Sequence, residues 1–89
     1  MVTVNLPRSL VALFADPPPR HVQLDAGTVE EVVRELDRVC PGMWDRVCEP
    51  GPRLREHINV FVNGESGSLG TAVPDGGQVH IIPAVAGGS

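Results

Sequence analysis

Few side chains here could hold a metal, attack an acyl carbon or move a proton, and their spacing decides what they can do. His21, His57 and His80 form no HxH or HxxxH pair, and with Cys40 and Cys48 they lack the spacing of a zinc site. No serine sits in a GxSxG elbow, and neither cysteine has an identifiable histidine partner, so nucleophilic catalysis finds no support. Glu30, Glu31, Glu35 and Asp37 cluster where a helix is expected, and a solvated polar face explains them better than an acidic docking patch does. Asp75-Gly76-Gly77 precedes a strand rather than a helix, so it reads as a turn and not as a phosphate cradle. That leaves the tail Ala84-Val85-Ala86-Gly87-Gly88-Ser89, which has no charge, no bulky side chain and no structural task. Lacking Cβ atoms, Gly87 and Gly88 accept φ of either sign and pass where no side chain fits. Such a tail suits delivery of a C-terminus into another protein's active site. Taken alone it reads as a frayed terminus, and the rest of the chain decides.

The elements that would position this tail follow from periodicity. Val2 to Leu6 and His21 to Leu24 alternate apolar and polar residues, which predicts two half-buried strands. Between them, residues 9–14 form a helical turn or a loop folded onto the core, and Asp16-Pro17-Pro18-Pro19 is a stiff extended connector. The doubling back predicts an antiparallel pair. Thr28-Val29-Glu30-Glu31 is a capping box, and Val29, Val32, Val33, Leu36 and Val39 recur as one helical stripe over residues 29–39. Cys40-Pro41-Gly42 stops this helix. A short helical turn is expected at Met43 to Cys48, broken by Glu49-Pro50-Gly51-Pro52. Ile58 to Val62 is a strand, Asn63-Gly64 a tight hairpin turn and Glu65 to Leu69 a weak return strand. Pro74-Asp75-Gly76-Gly77 turns the chain into the last strand, Gln78 to Ile82, which runs directly into the tail.

Length and composition bound the function. Eighty-nine residues make one domain, and a chain of this size buries only about 60 to 65% of its unfolded surface, too little for a deep-pocketed enzyme. No apolar run approaches a membrane span and no secretory signal is evident, so a cytoplasmic protein that does not engage a membrane is expected. A net charge of −4 argues against nucleic-acid binding. The two cysteines are expected to be reduced, packed thiols. All seven basic residues are arginine, so no side chain can accept an isopeptide bond.

The strand-strand-helix-strand-strand order, the run Ile58-Asn59-Val60-Phe61-Val62-Asn63-Gly64, the turn Pro74-Asp75-Gly76 and the ending Val79-His80-Ile81-Ile82-Pro83-Ala84-Val85-Ala86-Gly87-Gly88 resemble the ubiquitin-like sulfur carriers of the ThiS/MoaD type. The ending is most similar to the CysO-like branch linked to cysteine synthase. The resemblance implies an α+β, β-grasp fold with a mixed four- to five-stranded sheet and one main helix packed across it. Its first and last strands would be parallel neighbours, with residues 1–83 as the domain and 84–89 as a flexible tail.

The resemblance also implies a role. An E1-like adenylyltransferase and sulfurtransferase would use ATP to adenylate Gly88 and convert it to a thiocarboxylate, and a cysteine synthase-like or similar acceptor would take the sulfur. Ala84, Val85 and Ala86 would enter the partner enzymes with Gly87 and Gly88. The chain itself would bind no cofactor or metal and catalyse nothing. Ser89 departs from the pattern, because it holds the Gly88 carbonyl in an amide. The Gly88–Ser89 bond is therefore an expected processing site for a JAMM-type zinc peptidase. A molybdopterin-synthase small subunit, a protein modifier and an inert β-grasp interaction module are the alternatives.

Overall fold

The period-two run Val2–Asn5 forms strand β1, burying Val2 and Val4 and turning Thr3 and Asn5 to the other face. The structure, a computed structural model, describes residues 1–83. After β1 come α1 (Arg8–Val11), β2 (His21–Leu24), the main helix α2 (Val29–Val39) and α3 (Met43–Val47). A small hairpin of β3 (Cys48–Glu49) and β4 (Arg53–Leu54) precedes β5 (Ile58–Val62), β6 (Glu65–Gly67) and β7 (Gln78–Pro83). Five strands form one mixed sheet in the order β2-β1-β7-β5-β6, and the hairpin stands apart as a second sheet. Strands β1 and β7 are parallel, and the other pairs are antiparallel. This is the expected β-grasp fold, with five strands and two short helices beside the main one.

Alternation puts Val2, Val4, Val60, Val79 and Ile81 on the sheet face that α2 covers, and Val29, Val32, Val33 and Leu36 descend onto them; each of these residues is at most 1% exposed. The helix starts where the capping signal placed it. Thr28 Oγ1 accepts the Glu31 N–H at 3.2 Å, while the Glu31 carboxylate takes the N–H of Gly27 rather than that of Thr28. Glu30 and Arg34 pair at 2.9 Å on the solvent side. At the other end Gly42, at φ 100°, makes the left-handed turn into α3, and Asp37 Oδ1 accepts the N–H groups of Gly42 and Trp44.

One member of the expected stripe is elsewhere. Val39 is 59% exposed, and Cys40, at 6%, takes the core position instead. The reason is phase: at 3.6 residues per turn the line through Val29, Val33 and Leu36 next meets residue 40. Val39 therefore looks out beside the edge strand β2.

The Asn63-Gly64 turn has both residues at positive φ, 50° and 87°, directly between the paired residues Val62 and Glu65. That is the hairpin geometry the dipeptide favours. The Glu49-to-Arg53 segment, expected only as a break, reverses the chain, with Cys48 opposite Leu54 and Glu49 opposite Arg53.

Candidate functional site

β7 lies in the middle of the sheet, between β1 and β5, and its pairing with β5 continues to the last described residue, where Pro83 stands opposite Ile58. The chain therefore leaves the fold from a strand held by β1 up to His80 and by β5 as far as Pro83. The expected site residues Ala84, Val85, Ala86, Gly87, Gly88 and Ser89, and the Gly88–Ser89 processing bond, lie outside the described residues. What the structure does define is their root. A recess of about 440 Å³ opens beside Pro83 and Ile58, with Arg46, Arg55 and His57 on its walls and Glu49 and Glu56 among them. Arg55 is fastened there by its backbone N–H to Val47 O at 2.9 Å and its Nε to Asp45 O at 2.7 Å.

The sheet face turned away from α2 begins at this root. Register aligns His21, Asn5, His80, Phe61 and Ser66 in one row across all five strands. Asn5 joins the two histidines. Its Oδ1 lies 2.7 Å from His21 Nδ1, and since a carboxamide oxygen can only accept, Nδ1 carries the hydrogen. Asn5 Nδ2 faces Gln78 Oε1 at 3.1 Å, Val79 O at 3.3 Å and His80 Nε2 at 3.4 Å.

The outward residues of the four longer strands, Thr3, Asn5, His21, Gln23, Asn59, Phe61, Gln78, His80 and Ile82, include no Asp, Glu, Arg or Lys. Ile82 is 43% exposed and directly precedes the root. An uncharged face with an apolar residue next to the exit is cheap to desolvate, which suits a partner that also receives the tail.

Sequence spacing had separated the histidines. The fold brings His21 and His80 to either side of Asn5 and puts His57 in the recess. Only strand order could have revealed this. No cluster of three or more His, Cys, Asp or Glu side chains fit to hold a metal occurs among the described residues.

Both cysteines are free and buried, as expected. Burial, aided by Asp16 and Asp37, pushes the Cys40 thiol up, and burial with Glu30 pushes the Cys48 thiol up to about 11. Neither is primed as a nucleophile, since the thiolate is the reactive form. No helix among the described residues is long and apolar enough to cross a membrane.

Residues 13–88 match the ThiS family. The chain belongs to the ThiS family. It is 36% identical to the sulfur carrier protein CysO of Mycobacterium tuberculosis over 93 aligned residues, covering 98% of each chain. It is 37% identical over 68 residues to small archaeal modifier protein 3 of Haloferax volcanii, covering 72% of this chain and 73% of that one. Among solved structures it superposes on a chain of the Amycolatopsis orientalis BexX/CysO complex with a TM-score of 0.85 and 32% identity, covering 98% of this chain and 99% of the other.

Proposed function

We propose that this chain is a sulfur carrier that bears its sulfur as a thiocarboxylate on Gly88. The observation that carries the reading is the whole-length likeness to CysO, joined to a central strand that ends by launching the Gly-Gly segment. A carboxylate is a poor electrophile. An E1-like enzyme would join the Gly88 carboxylate to AMP from ATP, releasing pyrophosphate. Sulfide, or its equivalent on a donor, would then attack the acyl carbon. The carbon–sulfur bond forms, the bond to AMP breaks, and the thiocarboxylate remains as a tethered sulfur nucleophile. Ser89 blocks the first step while attached, so its removal, by a JAMM-type zinc peptidase, precedes activation.

The chain contributes the handle and its partners the catalysis. It supplies no primed nucleophile or metal-ligand cluster among the described residues, and ATP belongs to the activating enzyme. A sulfur-accepting synthase is the second partner, a reading supported by the solved complex of CysO with BexX. Cysteine synthesis is the favoured destination, from the likeness to CysO, and the cytoplasm the favoured location. The experiment is to cut the chain at Gly88, supply an activating enzyme, ATP and sulfide, and weigh the product.

The archaeal relative supports a second reading, a protein modifier that joins the same carboxyl to target amines. Covalent adducts that disappear when Gly88 is deleted would favour it. The absence of lysine already excludes chains built through this protein's own side chains.

A further inference from the structure

Adenylating Gly88, the step the sulfur-carrier reading requires, exposes the activated carboxyl to every nucleophile of its own chain. An amine in reach would attack the acyl carbon: the carbon–nitrogen bond forms, AMP leaves with the electron pair of its ester bond, and the amine gives up a proton to water. The amide so formed can no longer take sulfur. Thiolates attack in the same way, whereas hydroxyls without an activating base are too weak. The five residues Ala84 to Gly88 span at most about 18 Å when extended. The groups that matter are therefore those around Pro83.

Two cations stand there. Arg46 and Arg55 line the recess of about 440 Å³ that Pro83 and Ile58 also line. Arg55 donates its Nε–H to Asp45 O at 2.7 Å, and the Arg46 guanidinium lies 6.0 Å from the centre of the Phe14 ring. A guanidinium keeps its proton in proteins, while a lysine ammonium exchanges with a free amine that is a nucleophile. His57 shares the recess, but an acyl-imidazole is still an activated acyl group, open to sulfide. Its hydrolysis returns a carboxylate that can be activated again.

The remaining nucleophiles lie elsewhere. Strands β1 and β7 run parallel, with Thr3 beside Gln78 and Asn5 beside His80, so Met1 sits at the start of β7 and the tail leaves from its far end. The Met1 ammonium ion-pairs there with Asp75 and Asp25. The strand from Gln78 to Pro83 is roughly 17 Å long, nearly the full reach of the tail before it makes any turn. Cys40 and Cys48 are only 6% and 1% exposed.

We propose that arginine at positions 46 and 55 keeps the activated Gly88 from being captured by its own chain, by placing positive charge at the tail root without a nucleophile. The proposal rests on the sulfur-carrier reading. It makes these two residues determinants of where the acyl group goes, to an external sulfur donor rather than to an amine of the carrier.

The test uses the chain ending at Gly88 as a thioester of mercaptoethanesulfonate, which stands in for the adenylate and needs no partner enzyme. At micromolar concentration and mildly alkaline pH an amine of the same molecule outcompetes those of its neighbours, since a short tether gives an effective concentration on the order of millimolar. The wild type and Arg38→Lys, whose new amine lies in a hollow shared with Met1, are expected to hydrolyse to the free carboxylate. Arg55→Lys and Arg46→Lys should instead release the thiol and close a ring, giving a product one water lighter than the hydrolysed chain. Their ring closure should be about tenfold or more faster than that of Arg38→Lys, with the Gly88–lysine amide located by fragmentation. Guanidinating the new lysine before the thioester is made returns a guanidinium and should abolish ring closure, which separates the gain of an amine from the loss of an arginine contact. Hydrolysis of both tail-root variants without ring closure would overturn the proposal, as would closure through Met1 in the wild type or equal closure by Arg38→Lys. Because the thioester is made without an activating enzyme, none of these outcomes decides whether Gly88 is loaded with sulfur, which is measured separately.

Discussion

Pro83 and Ile58 face each other across β7 and β5, the last rung of the sheet before the tail begins. That rung fixes where the tail starts. It also places Ile82, with its 43% exposed side chain, on the outer face one residue earlier. If the activating enzyme covers this face while it takes the tail, Ile82→Asp should lower kcat/KM for adenylation by about tenfold or more, the penalty for burying an unpaired carboxylate in an interface. Thermal stability should change little, because the side chain contributes little to the core. Steady-state pyrophosphate release with the wild type and variant checks this.

The valine and leucine layer under α2 should dominate stability. Leu36 is 1% exposed, so Leu36→Ala should cost about 2 to 5 kcal/mol. Val39→Ala, three residues on, should stay within about 0.5 kcal/mol because it removes exposed surface. Urea unfolding of both variants measures the contrast, and it would distinguish the observed helix phase from the stripe read from sequence.

Thr28 caps α2 through its Oγ1 to the Glu31 N–H. Thr28→Ala should lower stability by about 1 kcal/mol, with Thr28→Ser close to wild type. Denaturant midpoints of the pair separate the hydroxyl's role from the methyl's.

Cys48 sets a pH dependence. Burial raises its thiol from 9.0 to about 11, so the folded chain holds this proton more tightly than the unfolded chain does. Its contribution to stability is complete below about pH 9 and is lost as pH rises through about 11. Urea midpoints measured from pH 7 to 11 should fall over that upper range in the wild type and fall less in Cys48→Ala. Equal slopes would contradict the assignment.

Much of this was legible in the sequence because single residues announce their local geometry. Thr28 and Glu31 marked the helix start, Asn63-Gly64 marked a hairpin, and alternation in Val2–Asn5 and Gln78–Pro83 marked strands that the fold places side by side. The exposure of Val39 was misread because its apolar side chain was counted into a stripe drawn with steps of three and four, whereas the phase of Val29, Val33 and Leu36 leads to Cys40. The pairing of His21 with His80 through Asn5 was hidden for a different reason. It depends on β1 lying between β2 and β7, a matter of strand order across most of the chain rather than of any local pattern. The β3–β4 hairpin was missed because its strands are two residues each, too short for alternation to register. The tail was read as chemistry from its composition alone and lies outside the described residues, and the fold adds its starting point at Pro83.

The most direct test weighs the chain ending at Gly88 after incubation with an activating enzyme of the same genome, ATP and sulfide. A sulfur carrier gains the mass of one oxygen-to-sulfur exchange, located at Gly88 by fragmentation, and the form still bearing Ser89 gains nothing. An unchanged mass for the Gly88-ending chain, with the enzyme shown active in releasing pyrophosphate from ATP with this substrate, would contradict the role assigned to that terminus.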